Sequence, residues 1–263
     1  MQISGSTVLL TGATGGIGQA IARALRQRGA NLMLTGRRLD SLGALATELD
    51  ARAMAVDLAD SGEVQRLIEE AGAIDILIAN AALPASGLLD SYTVEQIDRS
   101  LEVNLRAPIV LAHALLPAMI ERGRGQLVFI GSLQSKAPTP GAAMYNASKF
   151  GLRGFATALR GDLRTSGVGV SIVHPGFIRD AGMFAETGVQ LPPGVGTRSP
   201  DDVAGAVLKA IERNRGEVDV APLSLRLGTI AAGLAPALSN RVQRRMGSER
   251  ITREATSAQL QKR

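Results

Sequence analysis

Residues 7–18 read TVLLTGATGGIG: a short apolar run, a turn carrying Gly12, Gly16 and Gly18, and the opening of a segment with helical period. An apolar β-rich run closed by a glycine cluster predicts a strand, and the apolar spacing over 17–28 predicts a helix. Glycines at this junction permit a tight turn and let the backbone approach a pyrophosphate, whose charge is stabilised at the positive helix N-terminus. Gly12, Thr14, Gly15, Gly16, Ile17 and Gly18 are therefore candidate cofactor-binding residues. The pattern alone is weak; its place between a first strand and a first helix is what gives it weight.

The same alternation continues outward. TVLL (7–10), NLMLT (31–35), AMAV (53–56), DILIAN (75–80), QLVFI (126–130) and VSIVH (170–174) read as strands, with helical segments such as 61–71 and 143–165 between them. Strands that are continuous apolar runs are buried on both faces, as in a parallel sheet covered by helices on each side. The expected fold is thus α/β, a single doubly wound Rossmann-type domain over residues 1–222, followed by a C-terminal helical extension with a basic tail over 223–263. Ligands of such sheets bind beyond the carboxyl ends of the strands.

The strand ends carry chemistry. After the second strand, TGRRLDSL places Arg37 and Arg38 where an acid would hold the free ribose hydroxyls of NAD, and no acid comes before Asp40. Arginine there accommodates the extra phosphate of NADP, so NADP(H) is the expected cofactor, with NAD(H) as the alternative and two solvated arginines as the plain reading. Asp57 and Leu58 end the third strand, and Asn80 and Ala81 the fourth. These are further candidates for the cofactor, or simple turn and capping residues.

The stretch MYNASKFGL (144–152) holds one of the chain's two tyrosines and one of its four lysines, four residues apart. On a helix that spacing puts Tyr145 and Lys149 on one face. A free tyrosine has a pKa of about 10 and is a poor base near neutrality. A fixed positive charge beside it stabilises the phenolate, so Lys149 is expected to lower the Tyr145 pKa and make the phenol a usable acid or base. A buried tyrosine with a lysine lying past it is the alternative.

Composition removes other chemistries. The chain has 263 residues, 45% hydrophobic and 20% charged, with 30 glycines, and reads as globular. With no cysteine and only His113 and His174, a thiolate metal site, a cysteine nucleophile and a Ser-His-Asp triad are unsupported, and no metal is expected. Both histidines read as structural. The N-terminal sequence lacks signal-peptide character and no apolar run reaches the roughly 18 residues of a spanning segment, so a cytoplasmic protein is expected. The net charge of +5 leans on Arg241, Arg244, Arg245, Arg250, Arg253, Lys262 and Arg263 at the C-terminus. That tail reads as a solvated end; nucleic-acid binding lacks a motif or an aromatic platform.

Taken together, these motifs resemble the short-chain dehydrogenase/reductase family over roughly residues 5–222. TGATGGIG matches its cofactor loop, IANAA its Asn-Asn-Ala-Gly motif, VNL supplies Asn104, GSLQS supplies Ser132, and YNASK matches Tyr-x-x-x-Lys. The resemblance implies that Tyr145 exchanges a proton with the substrate oxygen, Ser132 holds that oxygen, Lys149 tunes Tyr145 and binds the nicotinamide ribose, and Asn104 completes a proton path through a water. Pro175, Gly176 and Ile178, together with Tyr145 and Lys149, are implied cofactor contacts. It further implies a carbonyl or alcohol substrate and a homodimer or homotetramer, with the helices at 101–121 and 143–165 as contact surfaces.

Three positions depart from the family pattern: Ala82 replaces a glycine, Asp180 stands where a threonine contacts the carboxamide, and Thr14 stands where some NADP-dependent members carry a basic residue. The second leaves open a cofactor-binding regulatory or scaffold protein without turnover. The third throws phosphate recognition onto Arg37. Substrate choice is expected to lie with 83–89 and the apolar loop 176–199, which favours a hydrophobic carbonyl or alcohol. Leu227, Ile230, Leu234, Leu238, Val242 and Met246 continue a helical stripe broken by Pro236; it suits packing over the site or against a subunit, or, less favoured, a membrane surface.

Overall fold

The computed structural model describes residues 1–189, 191 and 195–234. The helical stripe expected from Leu238 onward, the break at Pro236 and the basic tail lie outside them. Seven parallel strands form one sheet: β1 (Thr7–Leu10), β2 (Asn31–Gly36), β3 (Arg52–Ala55), β4 (Ile76–Ala79), β5 (Gly125–Ile130), β6 (Val168–Pro175) and β7 (Glu217–Val220). Their order is β3-β2-β1-β4-β5-β6-β7, so the topology switches direction between β1 and β4. That is where a crevice opens in a doubly wound sheet.

Alternate residues of each central strand feed two cores. On one face Val8, Leu10, Leu34, Ile76, Ile78 and Val128 pack under α1 (Gly16–Gln27), α2 (Leu39–Leu49) and α7 (Pro200–Glu212). On the other Leu9, Met33, Leu77, Leu127, Phe129 and Ile172 pack under α3 (Ser61–Ala71), α5 (Ala107–Glu121) and α6 (Ala143–Asp162). The period of two on strands buried on both sides produces this division. α4 (Val94–Leu101) and α8 (Leu223–Leu234) complete the described helices.

The six strands read from sequence are present, and β7 is a seventh. Its sequence EVDV carries two carboxylates and only two apolar residues. A charged edge strand lacks the apolar run that marks its neighbours. Contrary to the expectation of no spanning-length segment, α4, a π-helical turn and α5 join into one helical run, Val94–Glu121, which is long and apolar enough to cross a membrane. Its Leu111, Leu115 and Met119 are instead buried in the core against the sheet.

Phe129, the penultimate residue of β5, is fully buried, with its ring edge-on to Phe155 of α6 at 5.6 Å between centroids. Phe129→Ala should cost about 3–5 kcal/mol of stability, measured by denaturant unfolding. A loss below 1 kcal/mol would show that α6 is not anchored to the sheet through this ring.

Candidate active site

The glycine loop is built by two close approaches. Gly12 has φ +66, and a Cβ on it would meet the Ala81 Cα at 2.7 Å; a Cβ on Gly18 would meet the Gly12 carbonyl oxygen at 2.2 Å. Side chains at either position would drive the loop off the end of β4. Asn80 fastens the junction from the other side, its Nδ2 donating to the carbonyls of Thr11 at 3.1 Å and Gly12 at 3.0 Å. The buried Thr11 hydroxyl accepts from the backbone N–H groups of Asn80 and Ala81, both at 3.1 Å. Thr11 was not singled out from sequence, and its place at the end of β1 is the signal for it.

The loop opens into a cleft of about 550 Å³. Its lining takes in Gly12, Thr14, Gly15, Gly16, Ile17, Gly18, Arg37, Arg38, Asp57, Leu58, Asn80 and Ala81, twelve of the residues expected to hold a cofactor, brought to one place by the ends of β1 to β4. Val103, Gly182, Met183 and Glu186 also line it. Of these, Gly182, Met183 and Glu186 fall in the loop 176–199 expected to govern substrate choice, whereas Val103 was not singled out. No side chain caps α1, and no acid lies in its first turn. Its N–H groups are thus left to an anion. Arg37 and Arg38 are exposed and make no ion pair among the described residues. These features fit a phosphorylated dinucleotide.

Asp57 is tied elsewhere as well. Burial works against its charge, but a hydrogen bond from Arg99 at 2.8 Å, the Ala59 N–H and the charges of Arg99 and Arg37 hold it below the usual carboxylate range. Pro175, Gly176 and Ile178 do not line the cleft. Ile178 buries its side chain in the core, and its backbone bridges to Arg198. Asp180 takes a left-handed φ of +68 and pairs its exposed carboxylate with Arg179 at 3.2 Å.

Tyr145 and Lys149 lie on one face of α6, the Lys149 Nζ 5.8 Å from the centre of the phenol ring. The segment 83–87 links them to the cleft: Leu83 and Pro84 line it, the Ala85 carbonyl accepts from the Tyr145 N–H, and Gly87 bridges to Ala142. Asn104 is fully buried, accepting from the Leu83 N–H at 2.6 Å and donating to the Leu83 carbonyl at 3.0 Å. It sits on the π-helical turn Glu102–Arg106, not on a regular helix. Such turns often mark functional sites because they shift the backbone hydrogen bonds by one residue.

The electrostatics correct one expectation. Burial raises the Tyr145 pKa, and the nearby Ser132 hydroxyl opposes only part of the rise. Lys149 is itself buried, is pushed down to about 8, and donates to the Ile130 carbonyl at 2.9 Å. In the protein alone, Lys149 therefore does not hold the phenol below its ordinary range, because desolvation disfavours the charged form of both groups. Tyr145 is accordingly a neutral acid near pH 7.

The family model for short chain dehydrogenases matches residues 6–191. The chain is 37% identical over 227 residues to the ketoacyl reductase HetN of Nostoc sp. (strain PCC 7120), covering 83% of this chain and 79% of that protein. It is 35% identical over 182 residues to the 3-oxoacyl-[acyl-carrier-protein] reductase FabG of Rickettsia conorii, covering 68% and 75%. A short-chain dehydrogenase from Sphingobium yanoikuyae, solved in complex with NADPH, superposes with a TM-score of 0.77 at 29% identity, covering 89% of this chain and 96% of that one. With the glycine loop, Ser132, Tyr145 and Lys149 in place, the chain belongs to the short-chain dehydrogenase/reductase family and is an oxidoreductase acting on CH–OH or C=O groups with NAD(P).

Proposed function

We propose that the chain is an NADP(H)-dependent reductase of hydrophobic carbonyl compounds, with a 3-ketoacyl group as the first substrate class to try. The observation that carries this reading is the joint placement of Arg37 and Arg38 in the cleft and of Tyr145 and Lys149 on the helix that the cleft's rim leads to. Two relatives named as ketoacyl reductases and a structural neighbour solved with NADPH support it. Phe177 and Phe184, 4.8 Å apart between ring centroids in the loop after β6, and the exposed Leu88 and Leu89 supply apolar surface for a substrate chain.

Bound NADPH supplies the hydride, and the protein's part is to place and protonate the substrate. The uncapped N-terminus of α1 and the loop glycines hold the pyrophosphate, and Arg37 holds the ribose phosphate, as Thr14 contributes no charge. Ser132 donates a hydrogen bond to the substrate carbonyl oxygen. Tyr145, kept protonated by its surroundings, gives that oxygen its proton as charge develops there. Lys149, charged below its pKa of about 8, stabilises the phenolate that remains. Asn104 fixes Leu83 and so the wall opposite α6; the π turn beneath it is suited to hold the water that returns a proton to Tyr145.

Tyr145→Phe deletes only the proton donor. It should retain NADPH affinity and lose at least about 100-fold in kcat, measured by steady-state ketone reduction. Turnover at the wild-type rate would end the proposal.

Arg37→Ala should weaken NADPH binding by about tenfold or more while leaving NADH nearly unchanged, measured by fluorescence titration. Equal losses for both cofactors would remove the phosphate role.

Lys149 loses its proton as the pH rises through about 8, and the phenol's partner charge goes with it. Reductive kcat should therefore be level across neutral pH and fall above about 8. A profile that is flat to pH 10 would show that the Lys149 charge does not act in the step.

A further inference from the structure

Next to Ser132 lies a buried polar cluster that the proposed reaction does not use. His174, the penultimate residue of β6, is fully buried, and its Nδ1 lies 2.8 Å from the Ser135 hydroxyl and 3.2 Å from the Ser132 carbonyl oxygen. The Ser135 hydroxyl donates to that same carbonyl, as does the Ser135 N–H at 2.9 Å. Because the single hydroxyl proton of Ser135 goes to Ser132, Nδ1 must carry the imidazole proton and donate. Two Ser135 donors thus converge on one carbonyl, and the imidazole N–H, whose nearer acceptor is the Ser135 oxygen, holds that hydroxyl in line.

The ring is itself fixed from behind. A Cβ on Gly131 would meet Nδ1 at 2.8 Å, so the glycine before Ser132 makes room for the imidazole. Nε2 has no hydrogen-bond partner and lies 3.9 Å from Glu217 Oε1 on β7. Lys136 joins Glu217 at 2.9 Å and Asp219 at 2.6 Å, Arg153 of α6 holds Glu217 at 2.7 Å, and Arg226 of α8 stands 3.9 Å from Asp219. Burial leads the causes that keep the histidine below its usual pKa, against the pull of Glu217. It is neutral near pH 7.

We propose that His174, with Ser135, is a positioning residue for the reaction: it clamps the Ser132 backbone so that the Ser132 hydroxyl is aimed at the substrate oxygen beside Tyr145. This rests on the reductase reading of the site. Ser132 has an extended backbone, φ −161 and ψ 158, at the end of β5. Without the clamp, that residue is free to rotate its hydroxyl out of line, and small misplacements of a catalytic group are costly.

The test is a double-mutant cycle on the full chain with saturating NADPH and a ketone that the wild type reduces. His174→Leu should lower kcat by about tenfold or more, with NADPH affinity unchanged by fluorescence titration. His174→Asn, which retains a donor at the Nδ1 position, should recover most of the loss. In the Ser132→Ala background, His174→Leu should cost less than about twofold further, because the hydroxyl it positions is gone. Unchanged kcat in His174→Leu, or the same fold loss in both backgrounds, would overturn the clamp. If His174→Leu does not fold, Ser135→Ala tests the same carbonyl and should lower kcat about threefold in wild type and not in Ser132→Ala; an equal loss in both would overturn it equally. A wild type that turns over no carbonyl, or a Ser132→Ala as fast as wild type, would instead remove the reductase reading itself.

Discussion

The contact of Gly12 with the backbone of Ala81 is the constraint on which the rest of the site depends. It joins the end of β1 to the end of β4 at the point where the sheet reverses its winding, and it leaves no room for a Cβ. Asn80 and Thr11 hold the two strand ends together by four hydrogen bonds, so the loop is set by the sheet and not by a ligand. A preformed loop spends little binding energy on ordering. The same residues carry the chain onward from Asn80 through Leu83 to the Ala85 carbonyl, which meets Tyr145. The cleft and Tyr145 are therefore parts of one rigid arrangement.

Proton chemistry depends on burial of a different kind. Lys149 is 2% exposed and has a backbone carbonyl as its acceptor, with no carboxylate ion pair among the described residues. A carboxylate partner would hold the ammonium charged but would also screen it from the phenol. Leaving it unpaired lowers its pKa to about 8, while keeping its field available to a phenolate as one forms. The raised pKa of Tyr145 belongs to the same arrangement, since desolvation penalises its anion as it penalises the Lys149 cation.

Fold and cofactor cleft were legible in the sequence because their signals are local. Apolar runs give strands, and the glycine spacing gives the loop; both survive without knowledge of what lies across the sheet. Where the reading went astray, the deciding fact was non-local. β7 escaped because an edge strand does not need an apolar run. The Tyr145 shift was given the wrong sign, because spacing along α6 shows that Lys149 is near and cannot show how dry the surroundings are. His174 was read as structural on its place before a proline, which was sound as far as burial goes, yet Ser132 and Ser135 lie some forty residues away in sequence.

β7 shows why an unremarkable edge strand matters to the site. Its two carboxylates, Glu217 exposed and Asp219 half-buried beside His174 in the register, are paired by Lys136 and Arg153. Lys136 directly follows the short 3-10 turn Leu133–Ser135, capped by Ser132, so an ion pair at the sheet's edge also pins the far end of the segment bearing Ser132. Glu217 is held well below the usual carboxylate range, with the contact to His174 the largest cause and Arg153 and Lys136 adding to it. The group therefore stays ionised throughout the pH range in which Lys149 titrates. The support behind Ser132 is thus constant in charge over the range in which Lys149, at the front of the site, is not.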